Sequence, residues 1–493
     1  MSRRRLRKPL FIVLLLFAVA FAVVYCWRWN IDREGRKKLN AVVAKIDASD
    51  PRWRWEDLEA DRPGVPDAEN SAFLALEFER VLMQNKFIHI QRNNEDSLLL
   101  EEIPPNHLLD DEAMQLIENR LDDFRTAKPF VRKLQAMPFG KRTMNITFNA
   151  WSSTWDVPQP YYIGNYLQFE FHHSAQRGLA DRPYERVIAL LNLGRMYGDE
   201  TLLRSQTSRM ASARGACNKM ERALAMNIPS SNLAHLQAEF ERESRTDYYG
   251  IGIRGHRGFA NAVGNAIDKG RLDLHSVLIM HNWCGSRASR WSELIDAWPY
   301  TPHLPADLAD CLDALSQQVA VANLPESQQQ AALAAVITPP TDDRHQFTTV
   351  MLRKIPQLLS DALATRAALR CVVAGIAIER HRILTGDWPK SLDAIPKAIL
   401  PEVPADPFTG QPLRFASRTD GVTVYSVGLD GFDDGGQVGV KLGPRNITLD
   451  IGFRLYNPDQ RRMPPLPVKL VAPGSDGWHA GRGPEPRIVG EGK

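Results

Sequence analysis

Leu384-Thr385-Gly386-Asp387-Trp388-Pro389-Lys390-Ser391-Leu392 opens the stretch that decides how the C-terminal part of this chain folds. It continues through Val403-Pro404-Ala405-Asp406-Pro407-Phe408-Thr409-Gly410-Gln411-Pro412-Leu413 to Val424-Tyr425-Ser426-Val427-Gly428-Leu429-Asp430-Gly431-Phe432-Asp433-Asp434-Gly435-Gly436. Gly386 follows a long helical pattern, at the place where a left-handed C-cap favours glycine. Pro389 cannot continue a helix. Asp406-Pro407-x-x-Gly410 reads as a turn: Asp opens it with a side-chain bond, Pro presets φ, and Gly supplies positive φ. Pro412 to Phe415 and Val422 to Tyr425 are short β-rich runs, and Asp420-Gly421 near their junction is a hairpin signal. A helix followed by a small antiparallel sheet is therefore expected.

The loop after the second run places Asp430, Asp433 and Asp434 within five positions, among four glycines. Three anions so close repel one another unless a cation neutralises them. A hard cation with oxygen ligands suits such a loop, and Ca²⁺ takes about 6–8 of them. Ser426 and backbone carbonyls are further candidate donors. A solvated acidic turn is the other reading, and the EF-hand pattern is absent.

This ending resembles the soluble head of the type II secretion major pseudopilin, on Gly386, Pro389, Asp406, Pro407, Gly410, Pro412, Tyr425, Ser426, Gly428, Asp430 and Gly431. The resemblance covers about residues 375–436 and implies a small α+β module whose final loop binds calcium. It makes Asp430, Asp433 and Ser426 candidate metal ligands, to which the loop's own cluster of carboxylates adds Asp434. In a pseudopilin the transmembrane helix joins the head directly and follows a prepilin peptidase site. Here roughly 350 residues intervene and no such site precedes the N-terminal apolar run, so the head reads as a reused folding module. The chain also resembles a group of bacterial membrane-anchored proteins that share an N-terminal span, a Glu-Asn-Ser/Ala-Ala start (here Glu69-Asn70-Ser71-Ala72), a helical middle and this ending.

Leu10 to Trp27 is an uncharged run of 18 residues rich in Leu, Val, Phe and Ala, close to the about 20 needed to span a bilayer as a helix. Arg3, Arg4, Arg5, Arg7 and Lys8 precede it, and Trp27 and Trp29 close it. The positive-inside rule then puts the N-terminus in the cytoplasm and the bulk of the chain on the exoplasmic side. Ala20-Phe21-Ala22 offers a signal-peptide cleavage site, but the apolar run continues past it, and an uncleaved single-pass anchor in the bacterial cytoplasmic membrane is expected. The net charge is +3. The five basic residues at the tip exceed that value, so the remainder is slightly acidic and carries no electrostatic footprint for nucleic acid.

The segmentation expected from composition and periodicity is a cytoplasmic basic tip (1–8), a transmembrane signal anchor (9–29), a stalk and linker (30–66), an exoplasmic helical domain (67–345), a long helix with the pseudopilin-like module (346–457) and a Pro/Gly-rich tail (458–493) expected to be disordered. Arg33 to Ala48 reads as a charged helix standing off the membrane. Further helical patterns cover Glu69–Gln84, Asp110–Met137, Tyr166–Arg177, Tyr184–Tyr197, Asp199–Met226, Leu233–Arg242, Leu274–Trp283, Ser289–Ala297, Ala306–Val321 and Phe347–Leu384, the last with a kink at Pro356. Asp247 to Arg257 is glycine-rich and reads as a flexible loop. The fold class expected is mainly α, with a small C-terminal antiparallel sheet.

No motif assigns a reaction. The nucleophile elbow, Walker A, H-E-x-x-H and C-x-x-C patterns are all absent. His172-His173 are adjacent on a helix and point about 100° apart, a poor pair for one metal; they read as surface or hydrogen-bonded core histidines, and His275 and His281 are spaced poorly as helical ligands. Glu239, Glu241 and Glu243 suggest either paired-carboxylate hydrolysis or a solvated helix face. The aromatic stretch Trp151 to Tyr162 reads as core packing, or as a sugar or peptide groove. Cys217, Cys284, Cys311 and Cys371 lie outside the membrane, an even number compatible with two disulfides or with separate buried thiols. The leading expectation is a membrane-anchored, non-enzymatic interaction or scaffold protein of the envelope, with envelope proteins as partners. The alternatives are an exported hydrolase of cell-wall or polysaccharide substrates and an accessory component of a secretion or pilus system.

Overall fold

The computed structural model describes residues 7–84, 100–101, 103–123, 128–142, 161–226, 232–272, 300–336, 342, 344–438 and 450–466. The chain is mostly helical and, among the described residues, has one three-stranded antiparallel sheet near its C-terminus.

The first helix, α1 (Arg7–Ser49), is unbroken from the apolar run into the charged segment. Its first half exposes apolar side chains all round, among them Phe11, Leu14, Phe17, Phe21 and Trp27, and it is long and apolar enough to cross a membrane. Its second half does not stand off as a stalk. Gly35 and Ile46 are buried, with Leu39, Val42 and Val43 packed against the core. The spacing of Leu39, Val42, Val43 and Ile46 is a helical stripe, obscured in the sequence by the intervening lysines and arginines.

Helix α2 (Trp55–Asp61) follows the buried Trp53, whose indole N–H donates to Asp47 at 2.7 Å. Helix α3 (Ser71–Gln84) begins at the Glu-Asn-Ser-Ala motif, and the motif has a local structural role. The Asn70 side chain bridges Lys141, donating to its carbonyl (2.7 Å) and accepting from its amide (2.9 Å), while the Ser71 hydroxyl donates to the Phe139 carbonyl (2.8 Å). The helical region expected over 110–137 holds α4 (Asp111–Asp123) and α5 (Lys128–Gln135) among its described residues.

Helices α6 (Tyr161–Gln176), α7 (Arg182–Arg195), α8 (Leu203–Ala225), α9 (Leu233–Ser244) and α10 (Tyr248–Asp268) pack as neighbours, α6 on α7 and α7 on α8. The glycine-rich stretch expected as a loop is the start of α10. Asp247 caps it by accepting from the Gly250 amide at 2.9 Å. Its glycines let the helix axis approach other backbone: a Cβ on Gly255 would lie 2.1 Å from the Thr201 carbonyl oxygen. Close packing repays the helix-propensity cost of glycine here.

Helix α11 (Leu304–Ala322) packs between α1 and α10 and is followed by α12 (Glu326–Ala334). The long helix expected over 347–384 is two: α13 (Gln346–Leu352) and α14 (Ile355–Thr385), with Pro356 in the first turn of α14 rather than at a kink. In the first turn of a helix proline loses no hydrogen bond. Gly386 ends α14 at φ +88°, its amide donating to the Arg382 carbonyl (2.8 Å), as the C-cap reading requires.

The sheet comprises β1 (Arg414–Arg418), β2 (Gly421–Ser426) and β3 (Ile451–Tyr456) in the order β1-β2-β3. Val424 of the wholly buried central strand faces Phe415 on one side and Phe453 on the other. The sheet packs on α14, and Phe453 sits against Gly375 closely enough that a Cβ there would lie 2.3 Å from its ring. One hydrophobic cluster runs from Ile46 through α14 to Leu455, so the C-terminal module shares its core with the helical body.

Residues 458–466 pack against that body. Arg461 is buried and pairs with Glu379 at 2.9 Å, and the Met463 amide donates to the Asn106 carbonyl at 2.7 Å. The rest of the tail, the aromatic residues 151–160, the helices expected over 274–283 and 289–297, His275, His281 and Cys284 lie outside the described residues. Cys217, Cys311 and Cys371 are buried free thiols, which excludes the two-disulfide reading for these three.

Candidate functional site

The acidic loop leaves β2 at Ser426 and returns to β3 at Asp450. Gly428, Gly431, Gly435 and Gly436 all take φ near +70°, so the loop folds back on itself through left-handed turns. The four sequence-predicted residues divide in two. Ser426 is fully buried and its hydroxyl donates to Asp406 Oδ1 at 2.8 Å while accepting from the Gly428 amide at 3.2 Å. That commits Ser426 to the turn of the Asp-Pro-x-x-Gly motif. Asp430 is at the surface and caps the Phe432 amide (3.1 Å).

Asp433 and Asp434 lie against the sheet. Asp433 accepts from the Gly435 amide (2.9 Å) and the Tyr425 hydroxyl (3.1 Å), and pairs with Arg414 of β1. The Gly435 amide is the main cause holding its carboxyl below the usual range, with Tyr425 and Arg414 acting the same way. Asp434 Oδ2 is buried with no hydrogen-bond partner.

A further carboxylate, Asp450, joins them without any signal in the loop's own sequence. It is 3% exposed; its Oδ2 accepts from the Gly436 amide at 2.7 Å and its Oδ1 has no partner. Burial pushes its carboxyl up, and the charges of Asp433 and Asp434 push it further. Two buried, unpartnered carboxylate oxygens on side chains that repel each other are what a hard cation would relieve. Among the described residues, no group of three or more His, Cys, Asp or Glu side chains is already arranged to hold a metal ion. Asp450 stands immediately before β3. The alternation Ile451, Phe453, Leu455 was the available signal for that strand.

The other carboxylate cluster is structural. Glu243 is 2% exposed and lies between Arg195 (2.7 Å) and Arg209 (2.8 Å), with the Tyr248 hydroxyl donating at 2.9 Å. Burial raises its carboxyl, but the two guanidiniums outweigh burial and hold it down to about 2. Glu239 is taken by Arg195 and Arg242. A general acid requires the opposite shift. His173 is half-buried, 3.8 Å from Glu118. His172, expected at the surface or hydrogen-bonded, is instead buried with neither ring nitrogen partnered.

No family model, curated protein or solved structure matches this chain.

Proposed function

We propose that the chain is a single-pass membrane protein, N-terminus inside, whose exoplasmic helical body is a non-enzymatic interaction or scaffold module of the cell envelope. The observation that carries this reading is the apolar sleeve on the first half of α1 and its rigid continuation into the body. Leaving Phe11 to Trp27 in water would expose a large contiguous apolar surface, which soluble proteins avoid. Lipid covers that surface at no such cost. The second half of α1 is held by buried Gly35 and Ile46 and by the pairs Arg36–Asp268 (2.8 Å), Lys38–Asp310 (2.6 Å) and Lys45–Asp313 (3.3 Å). The body is thereby set at a fixed distance and orientation beyond the membrane, a geometry suited to presenting a surface to envelope partners.

The C-terminal module belongs to the same reading as a pseudopilin-like unit whose loop takes calcium through Asp433, Asp434 and Asp450. Its supports are the Asp406 turn, the hairpin and the unpartnered oxygens of Asp434 and Asp450. Calcium would supply charge neutralisation and loop closure, not catalysis.

Membrane fractionation combined with reporters fused to the C-terminus tests the topology. The chain should stay with the membrane after carbonate wash, and a reporter active only outside the cytoplasm should be active. Release of the body as a soluble exported protein, or activity of a cytoplasm-only reporter, would sink the anchored, N-in reading.

A further inference from the structure

Arg222 of α8 is 5% exposed and, among the described residues, forms no ion pair with a carboxylate. Its guanidinium donates to the carbonyls of Pro104 (3.2 Å) and His107 (2.8 Å) and grazes that of Ile103 (3.5 Å). Carbonyl dipoles satisfy its N–H groups but leave its charge uncompensated. A buried charge without a counter-ion is strongly disfavoured, because its lost hydration is not repaid. Burial accordingly lowers its pKa to about 10.

One helical turn earlier on the same face of α8, Lys219 is 1% exposed and pairs with Glu101. Burial first, then the Arg222 charge, depress its ammonium to about 7. Facing both from α6 is His172, 2% exposed, with two unpartnered ring nitrogens. Burial first, then Arg222, holds this imidazole neutral, so that it offers one N–H and one lone pair. All three side chains line one cavity of about 80 Å³, which Ile451, Phe453 and Arg454 of β3 also line. A space that large exceeds a single water site.

Three carboxylates and one further cation share the lining. Glu221 is held by Arg454 at 3.2 Å, Glu101 by Lys219, and Asp450 is engaged by the Gly436 amide. Among the described residues Arg222 is the cation of this lining that has no carboxylate partner, and the cavity also holds an unused imidazole N–H.

We propose that this cavity binds a small oxyanion, a phosphate or a short carboxylate, between Arg222, Lys219 and the N–H of His172. The anion supplies the counter-charge that Arg222 lacks, accepts the idle donor of His172 and uses the ammonium hydrogens of Lys219 not given to Glu101. The oxyanion class follows from the donors: charge-assisted N–H···O bonds from guanidinium and ammonium favour a compact acceptor with several oxygens. The site is independent of the membrane reading and shares Asp450 with the proposed calcium loop, so calcium is left out of its test.

The test is calorimetric titration of the full chain in detergent, in calcium-free buffer, with inorganic phosphate and separately with acetate. Sodium chloride at matched ionic strength serves as the reference. Saturable binding of phosphate or acetate beyond chloride is expected, and whichever anion binds identifies the headgroup. His172→Phe keeps a ring in the same buried seat but removes the donor; it should weaken binding about tenfold, the loss of one charge-assisted hydrogen bond. Arg222→Met should abolish binding, and if that variant does not fold, His172→Phe decides. The absence of saturable binding of either anion, or binding of equal strength in His172→Phe, overturns the proposal.

Discussion

The hydroxyl of Ser426, the last residue of β2, donates a 2.8 Å hydrogen bond to Oδ1 of Asp406, twenty residues earlier in the Asp-Pro-x-x-Gly turn. The same carboxylate accepts from the Phe408 amide (2.9 Å) within its own turn and, through Oδ2, from the Val427 amide (3.1 Å) just beyond the strand. One buried side chain thus joins the two halves of the C-terminal motif. Asp406→Ala would leave the Ser426 O–H and the Val427 N–H buried without acceptors. The expected cost is about 3 kcal/mol, read as a lower midpoint in denaturant unfolding. Asp406→Asn keeps one acceptor and should cost less. An alanine variant as stable as the parent would show that this junction is not holding the module together.

Glu243 makes part of the stability acid-sensitive. Its folded-state pKa of about 2 lies below the unfolded value of about 4.3. A depressed carboxylate contributes stability that is fully present above the unfolded pKa and is lost as pH falls through the folded one. The contribution is on the order of 3 kcal/mol, since each tenfold change in proton affinity is worth about 1.4 kcal/mol. Stability should therefore decline between roughly pH 4.5 and 2. Glu243→Gln should be destabilised at neutral pH, because Arg195 and Arg209 lose their shared counter-charge. Its deficit relative to the parent should shrink toward pH 2. A deficit independent of pH would contradict the pairing.

The contrast between these two residues indicates what is legible in the sequence. The turn, the hairpin and the Gly386 cap are readable because proline, aspartate and glycine act through local backbone geometry, and local geometry survives transfer into the fold. The start of α10 reads wrongly as a loop for the same reason. Its glycines serve distant packing against Thr201 and Trp53, which no local rule reports. The half of α1 beyond the apolar run carries a stripe of four apolar residues, but its surface charges find partners on α10 and α11, more than 200 positions away. In the candidate site, the loop aspartates are legible as a dense anionic cluster. Asp450 is not, because it enters from the next strand, and His172 and Arg222 converge from separate helices.

Calcium should act on the loop with a sign that can be read twice. The ionised form of Asp450 is disfavoured in the folded chain by burial and by Asp433 and Asp434. In chelator, Asp450→Asn removes that repulsion while its amide oxygen can still accept from Gly436, so the variant should unfold at the same midpoint as the parent or slightly above it. With calcium in excess the order should reverse. The parent gains about 2.7 kcal/mol at a hundredfold excess over the dissociation constant, and Asp450→Asn and Asp434→Asn gain little. Magnesium should be a weaker substitute, since it demands a tighter octahedral shell than this loop offers. Equal midpoints for the parent in calcium and in chelator would remove the metal from the account.

The junction of the anchor with the body rests on packing more than on charge. Arg36, Lys38 and Lys45 are each about half or more exposed in their ion pairs, and pairs of that kind contribute about 0–1 kcal/mol. Gly35 is different. It is buried where α1 meets the start of α11, and a Cβ there would lie 2.9 Å from the Ala306 amide nitrogen and 3.3 Å from the Ala306 Cβ. Both contacts belong to a helix whose other face is fixed in the core, so relief requires the two helices to part. Gly35→Val should therefore cost about 1–3 kcal/mol as an overpacked contact, whereas Lys45→Ala should be near neutral. Limited proteolysis of the full chain in detergent separates them: the valine variant should be cut faster within residues 30–49, and the alanine variant should match the parent. Equal cleavage of all three would mean that the second half of α1 is not docked on α11, and that the body hangs from its anchor on a free stalk.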